Sequence, residues 1–131
     1  MTRWISLGFV AAAAYNIVGM VVFTRGFTNQ VLFAADPELF SRPACAVVCI
    51  WGLAYLSLAA HANKAPYVAL AFAAEKLFYA AWWARWISLH HGDLMTIRAN
   101  DLLAGMFYGV YGVGDAAFAA FFAVVFWKFW R

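Results

Sequence analysis

The sequence predicts an all-α, membrane-embedded four-helix bundle, on three observations. Of the 131 residues, 67% are hydrophobic and only 11% are charged, whereas soluble domains carry roughly a quarter charged residues. A soluble chain of this size would have too few polar residues to cover its surface. The apolar residues gather into four long windows, none of which alternates like a barrel strand. This composition argues against a disordered chain, a disulfide scaffold and a nucleic-acid-binding module.

Each apolar window is long enough for a helix that crosses the bilayer, which takes about 20 residues. The windows are residues 4–24, 43–61, 67–89 and 102–127, and we expect them to form one domain, residues 1–131. The first window resembles a signal peptide around Ala11–Ala14. Its apolar run continues to Phe23, however, so we expect a retained helix.

Four spans would place both chain termini on the same side of the membrane. That side carries four basic residues and the opposite side three, which predicts that both termini are cytoplasmic. The location we expect for this multi-pass protein is the bacterial inner membrane. The four are Arg3, Lys64, Lys128 and Arg131, and the three are Arg25, Arg42 and Arg98.

The connections between the windows differ in length and character. Residues 62–66 form a tight turn, which makes the second and third helices antiparallel neighbours. Residues 25–42 form a longer outer loop, in which Asp36 and Pro37 predict the start of a short helix. Because this loop is amphipathic, we expect it to lie on the membrane surface. In the second outer loop, residues 90–101, Asn100 or Asp101 is expected to cap the fourth helix.

Four polar residues fall where lipid should be. Counted at 1.5 Å per residue from the cytoplasmic ends, Asn16 and Asp115 lie about 18 Å deep, and Glu75 and Lys76 about 12 to 14 Å. An ionised group at this depth needs a partner within the bundle, and Lys76 with Asp115 is the natural pair. Glu75 points about 100° around the helix from Lys76, so the two need not share one site.

This intramembrane polar layer has a functional and a structural interpretation. A proton- or ion-responsive site is favoured slightly, because intramembrane charges are rarely kept for stability alone. The alternative is a buried ion pair that only fixes the register of the helices. Asn16 by itself fits a helix–helix hydrogen bond.

Small residues form a stripe along the fourth helix. Gly105, Gly109 and Gly112 follow helical spacing, which lets another helix approach closely. We expect helix packing here, in preference to a substrate path lined by backbone. The packing partner could belong to the same chain or to a second copy, and a homo-oligomer or a larger membrane complex is therefore expected.

Candidates for a metal or a cofactor are weak. His90, His91 and Asp93 cluster in the second outer loop, but adjacent loop histidines are poorly specific and we expect no metal site. No phosphate loop, dinucleotide fingerprint or hydrolytic nucleophile motif is present, so the cofactor is unknown.

Short motifs along the chain resemble those of small, uncharacterised bacterial four-helix integral membrane proteins. They are Tyr15-Asn16 with Gly19, Gly52 to Tyr55, a mid-helix Lys at Lys76, and Gly114-Asp115 with Phe118. The resemblance implies a four-helix fold and directs attention to Asn16, Lys76 and Asp115. It does not include Glu75, and it implies no activity.

Three functions fit the sequence. The first is handling of a proton, an ion or a small solute through the polar layer, which in so short a chain would require oligomerisation. The second is a non-catalytic accessory subunit of a respiratory or photosynthetic membrane complex, which seven tryptophans would suit. The third is an enzyme that acts on a lipid or quinone, with Glu75 and Asp115 as acid and base in one cavity open sideways to lipid. The balance is against an enzyme.

Overall fold

A computed structural model describes all 131 residues of the protein. The fold is all-α, as predicted, with 87% of the residues helical and no strand. Four long helices are α1 (Arg3–Phe23), α4 (Arg42–Leu58), α5 (Pro66–His90) and α7 (Leu102–Phe129). Three short ones are α2 (Gln30–Ala35), α3 (Pro37–Phe40) and α6 (Leu94–Asn100), and single 3₁₀ turns cover Ala62–Lys64 and His91–Asp93.

The long helices match the four apolar windows to within three residues at each end. Two of them, α1 and α7, are long and apolar enough to cross a membrane. The helix α4 has 17 residues, which extend over about 25 Å, and α5 carries three charged residues in its length. By length and composition, α4 and α5 therefore do not belong with α1 and α7 among the helices that could cross a membrane.

The long helices run antiparallel in two close pairs, α1 with α4 and α5 with α7. The chain termini and the 62–65 turn lie at one end, and residues 24–41 and 91–101 lie at the other, which we call the loop end. Although α4 and α5 are joined by the tight turn, their backbones are separated by aromatic side chains. The ring centroids of Tyr55 and Phe72 are 4.9 Å apart, and those of Tyr55 and Phe122 are 5.0 Å apart. Large rings thus fill the space between the two pairs.

Residues 24–41 do not lie flat on a surface, as their amphipathic pattern led us to expect. They fold into the loop end of the bundle, where Leu32, Phe33 and Phe40 are buried. The Phe40 ring packs edge-on against Phe107 and Tyr111 of α7, at centroid distances of 4.9 and 4.8 Å. The expectation was wrong because the apolar face of this segment is covered by the aromatic residues of α7.

Hydrogen bonds and an ion pair hold the loop end together. The Asp101 carboxylate caps α7 by accepting from the Ala104 N–H at 2.9 Å, which confirms one of the two predicted caps. It also accepts from Arg25 Nε at 2.9 Å and from the Asn29 side chain at 3.2 Å. Asp36 precedes α3 as predicted, but its carboxylate makes no capping bond and accepts instead from Trp82 Nε1 at 2.8 Å.

The predicted glycine stripe of α7 packs at two of its three positions, both within the chain. A Cβ at Gly105 would lie 2.6 Å from the Arg98 Cα of α6, and one at Gly112 would lie 2.3 Å from the Trp83 ring of α5. Gly109 faces open space, with no atom within 4 Å of an added Cβ. Gly105 and Gly112 are therefore packing positions, whereas Gly109 leaves room for a side chain.

Candidate functional site

The Lys76 ammonium is buried in the middle of the bundle, with only 1% of the residue exposed. Its Nζ donates to Asp115 Oδ1 of α7 at 2.7 Å and to Asn16 Oδ1 of α1 at 2.5 Å. The structure therefore brings together three of the four predicted polar residues, from α1, α5 and α7. A buried charge requires such partners, because it would otherwise lose its hydration without compensation.

Asn16 connects this group to the remaining long helix. Its side-chain amide nitrogen donates to the Val48 carbonyl of α4 at 2.9 Å, while its oxygen accepts from Lys76. Asn16 thus uses both ends of its amide group, and the network joins all four long helices. This role agrees with the helix–helix hydrogen bond expected for Asn16, and it extends to the ion pair.

Aromatic rings surround the buried ammonium. The Lys76 Nζ lies 4.9 Å from the ring centroid of Tyr15, 5.4 Å from that of Tyr55 and 5.9 Å from that of Phe118. At these distances the negative ring faces attract a cation. The Tyr15 hydroxyl in turn donates to the Tyr111 carbonyl of α7 at 2.5 Å. The rings are therefore held in place around Lys76 by contacts of their own.

The fourth polar residue, Glu75, has a different partner. Its Oε2 accepts a hydrogen bond from the Tyr55 hydroxyl of α4 at 2.5 Å. The ion pairs of the protein are Lys76–Asp115 and Arg25–Asp101, so Glu75 has no cationic partner. Glu75 and Lys76 thus make separate contacts, as the angle between them along the helix allowed.

A cavity of about 450 Å³ lies beside the polar layer, towards the loop end. Its wall includes Asn16, Glu75, Lys76 and Asp115, and is otherwise mainly apolar and aromatic. Val18 of α1 and Val110 of α7 also line it, and each is 58% exposed. The cavity therefore reaches the surface of the bundle between α1 and α7.

One further polar atom in this wall has no partner. Tyr111 lines the cavity and is only 5% exposed, and its hydroxyl makes no hydrogen bond. A buried hydroxyl without a partner costs roughly 1–3 kcal/mol, so such groups are rare in folded proteins. The Tyr111 hydroxyl is therefore a buried polar group without a partner, in a residue that lines the cavity.

The three residues considered for a metal, His90, His91 and Asp93, do not come together in one group. The protein has no group of three or more His, Cys, Asp or Glu side chains placed to hold an ion. The His90 ring instead stacks on Trp86 with centroids 5.0 Å apart, and its Nδ1 lies 3.1 Å from the Trp86 carbonyl oxygen. His91 and Asp93 are exposed in the turn that follows.

Sequence reasoning missed the tyrosines that complete the site, Tyr55, Tyr79 and Tyr111. A signal for them was present, because a phenol inside an apolar window needs a hydrogen-bond partner once it is buried. The hydrogen bond from Tyr55 to Glu75, and the place of Tyr79 and Tyr111 in the cavity wall, depend on how the helices are aligned. Spacing along one helix does not specify this alignment.

Comparison of the chain with protein-family models, with curated proteins and with solved structures finds no match.

Proposed function

We propose that the protein is a four-helix integral membrane protein that binds a small, largely apolar molecule in the cavity beside the polar layer. The observation that carries this proposal is the cavity itself. At about 450 Å³ it has the size of a small-molecule site. Its apolar wall with a few polar residues, among them Asn16 and Glu75, is also typical of such sites.

The surface of the bundle supports a membrane setting for all four long helices. The helices α4 and α5 are less apolar than α1 and α7, but they also expose large apolar side chains. Examples are Ile50 and Leu53 on α4 and Leu77 and Phe78 on α5. These side chains are 61%, 58%, 62% and 52% exposed. A soluble monomer rarely exposes such large apolar patches, whereas lipid would cover them without cost.

An ion or proton pathway is less well supported within one copy of the chain. The polar layer lies between two apolar clusters, one around Phe9, Phe72 and Phe122 and the other around Phe40, Phe107 and Tyr108. A pathway would therefore require a second copy or a rearranged bundle. Loss of a proton-dependent flux in proteoliposomes on Asp115→Asn substitution would support such a pathway.

The acid–base enzyme is the alternative that the cavity comes closest to fitting. Glu75 and Asp115 line the same cavity, and this cavity opens sideways between α1 and α7. Asp115, however, is paired with the Lys76 ammonium at 2.7 Å, which leaves Glu75 as the one carboxylate of the wall without a cationic partner. A binding site fits this arrangement better than an acid–base pair.

A cavity-filling substitution tests the proposal. Gly19 lines the cavity and has no atom within 4 Å of an added Cβ, so Gly19→Leu would occupy the space without a clash at the Cβ. Gly109→Leu is the matched control, because Gly109 is equally unobstructed but does not line the cavity. The probe is radiolabelled anthracene, a neutral apolar molecule, in equilibrium dialysis against the detergent-solubilised protein, with empty micelles subtracted.

We expect saturable binding to the wild type and to Gly109→Leu, and at least a tenfold weaker affinity in Gly19→Leu. Equal binding by all three proteins, or no saturable binding to the folded wild type, would show that the cavity is not a ligand site.

A further inference from the structure

The charges that line the cavity do not balance. Glu75, Lys76 and Asp115 are the ionisable acidic and basic residues of its wall. Lys76 is bonded to Asp115, and each neutralises the other. Glu75 is bonded only to the neutral Tyr55 hydroxyl. With all three groups ionised, the wall carries one negative charge in excess.

The wall also disfavours an anionic ligand. Its one basic residue is Lys76, whose Nζ already donates to Asn16 and Asp115. Lys76 is almost fully buried behind these partners, at 1% exposure. A carboxylate or phosphate in the cavity would therefore find no free cation and would lie near two carboxylates. This argues against the acidic headgroups of lipids as the bound group.

The rest of the wall suits a cation with an apolar body. Aromatic residues of α1, α3, α5 and α7 contribute rings to it: Tyr15, Phe23, Phe40, Tyr79, Phe107 and Tyr111. The faces of such rings attract organic cations, and desolvation in an apolar site strengthens this attraction. The same chemistry is visible in the protein itself, where Tyr15 and Tyr55 flank the Lys76 ammonium.

We propose that the ligand of this cavity is a lipophilic organic cation, and that the Glu75 carboxylate is its counter-charge. This inference rests on the proposed function, since it assumes that the cavity holds a ligand. It adds the charge of that ligand and the residue that recognises it. Tyr55 acts as a positioning residue, because its hydroxyl holds the Glu75 carboxylate at the wall.

A pair of probes with the same shape and opposite charge tests the inference. Tetraphenylphosphonium is a lipophilic cation, and tetraphenylborate is the corresponding anion. Binding of each is measured by equilibrium dialysis with the full-length protein in a neutral detergent, with empty micelles subtracted. Four proteins are compared: the wild type, Glu75→Gln, Glu75→Asp and Gly109→Leu.

We expect the wild type and Gly109→Leu to bind the cation saturably, with no saturable binding of the anion. Glu75→Gln should weaken cation binding at least tenfold, whereas Glu75→Asp, which keeps the charge, should lose less. Circular dichroism and gel filtration establish that each variant is folded. The comparison of the two probes on the wild type remains decisive even where a variant fails to fold.

Equal affinity of the wild type for cation and anion, or unchanged cation binding in Glu75→Gln, would overturn the inference. Anthracene binding that is lost in Gly19→Leu would in that case still support a ligand cavity. Failure of anthracene, the cation and the anion to bind at all would instead overturn the proposed function along with the inference.

Discussion

Lys76 lies at the point where the long helices meet, and its ammonium has two hydrogen-bond acceptors. Removal of one partner from a buried ion pair lowers the stability of the fold far more than removal of both. The remaining charge then stays buried without compensation. We therefore expect the pair to contribute to the choice of one helix register more than to net stability. A register shifted by one residue would separate Lys76 from both Asn16 and Asp115.

The first prediction is that Asp115→Asn destabilises the folded protein by about 3–5 kcal/mol, because Lys76 then remains charged and buried. Lys76→Met combined with Asp115→Asn should cost clearly less than the sum of the two single substitutions. The measurement is the free energy of unfolding in detergent titrations followed by circular dichroism. Additive effects of the two substitutions would contradict the ion-pair interpretation.

The sequence predicted how deep each polar residue lies in the bundle, but it did not predict which neighbour each side chain contacts. Counting residues from the helix ends placed Asn16, Lys76 and Asp115 in one layer, and the structure joins them by hydrogen bonds. The partner of Glu75 was not predictable. Tyr55 lies on another helix, 20 residues away, and the contact depends on the relative rotation of α4 and α5.

The helix α7 provides a matched pair of glycines for a test of packing. The Trp83 side chain lies over Gly112 and is held by a 2.8 Å bond from its Nε1 to the Tyr108 carbonyl, so it cannot easily move away. We predict that Gly112→Ala destabilises the protein by about 1–3 kcal/mol through this overpacking.

Gly109→Ala is the control, because the added methyl group would meet no atom within 4 Å. It should leave stability unchanged or raise it by up to about 1 kcal/mol, since alanine favours a helix more than glycine does. Thermal unfolding in the same detergent compares the two variants. Similar losses in both would show that Gly109 also packs, for example against a second copy of the chain.

The start of α7 depends on the ionised Asp101 carboxylate. Burial alone would raise its pKa, but hydrogen bonds from Arg25, the Ala104 N–H and Asn29 outweigh burial and hold the pKa below its ordinary value of 3.8. The folded protein therefore binds a proton at Asp101 less readily than the unfolded chain does. The resulting stabilisation is complete above pH 3.8 and is lost as the pH falls through the lower pKa of the folded state.

We predict that the difference in unfolding free energy between the wild type and Asp101→Asn is constant near neutral pH and shrinks below pH 3.8. Asparagine keeps an acceptor for the helix cap and loses the charge, so it isolates the electrostatic part. Chemical denaturation of both proteins at a series of pH values measures this difference. A difference that stays the same down to the lowest pH would contradict the contribution of the charge.

Helix positions were predictable from the sequence, whereas the fold of residues 24–41 was not. Long apolar windows have few alternatives to a helix, so α1, α4, α5 and α7 appear near their expected bounds. The amphipathic pattern of residues 25–42 specifies an apolar face but does not specify what covers it. From the pattern alone, contact of Phe40 with lipid and contact with Phe107 and Tyr111 of α7 were equally consistent.

The proposed four-span bundle requires α5 to cross the membrane, although this helix carries Glu75, Lys76 and Arg85. We predict that Asn63→Cys and Gly92→Cys, in a background without Cys45 and Cys49, are accessible from opposite sides. Both positions are exposed, one at each end of α5. In intact bacterial cells, a membrane-impermeant maleimide should label position 92 directly and position 63 only after permeabilisation. Labelling of both positions from one side would exclude α5 as a span.

The arrangement of the long helices in two close pairs was not predicted from the sequence. The short turn suggested that α4 and α5 would be close neighbours, but α5 packs more closely against α7. Large rings such as Tyr55 and Phe122 keep the pairs apart, while small residues let the helices approach within each pair. The cavity lies between the two pairs on the loop-end side of the polar layer, where aromatic rings line the space without filling it.

The mouth of the cavity lies between α1 and α7, the two helices best suited to crossing a membrane. In the membrane setting that we propose, a molecule that enters there comes from the hydrocarbon of the bilayer and not from the aqueous phase. Occupancy is then governed by the mole fraction of the compound in the bilayer, so a weak binder that partitions strongly fills the site more readily than a tight binder that stays in water. Affinities for this protein are therefore comparable between compounds only after correction for their partition coefficients.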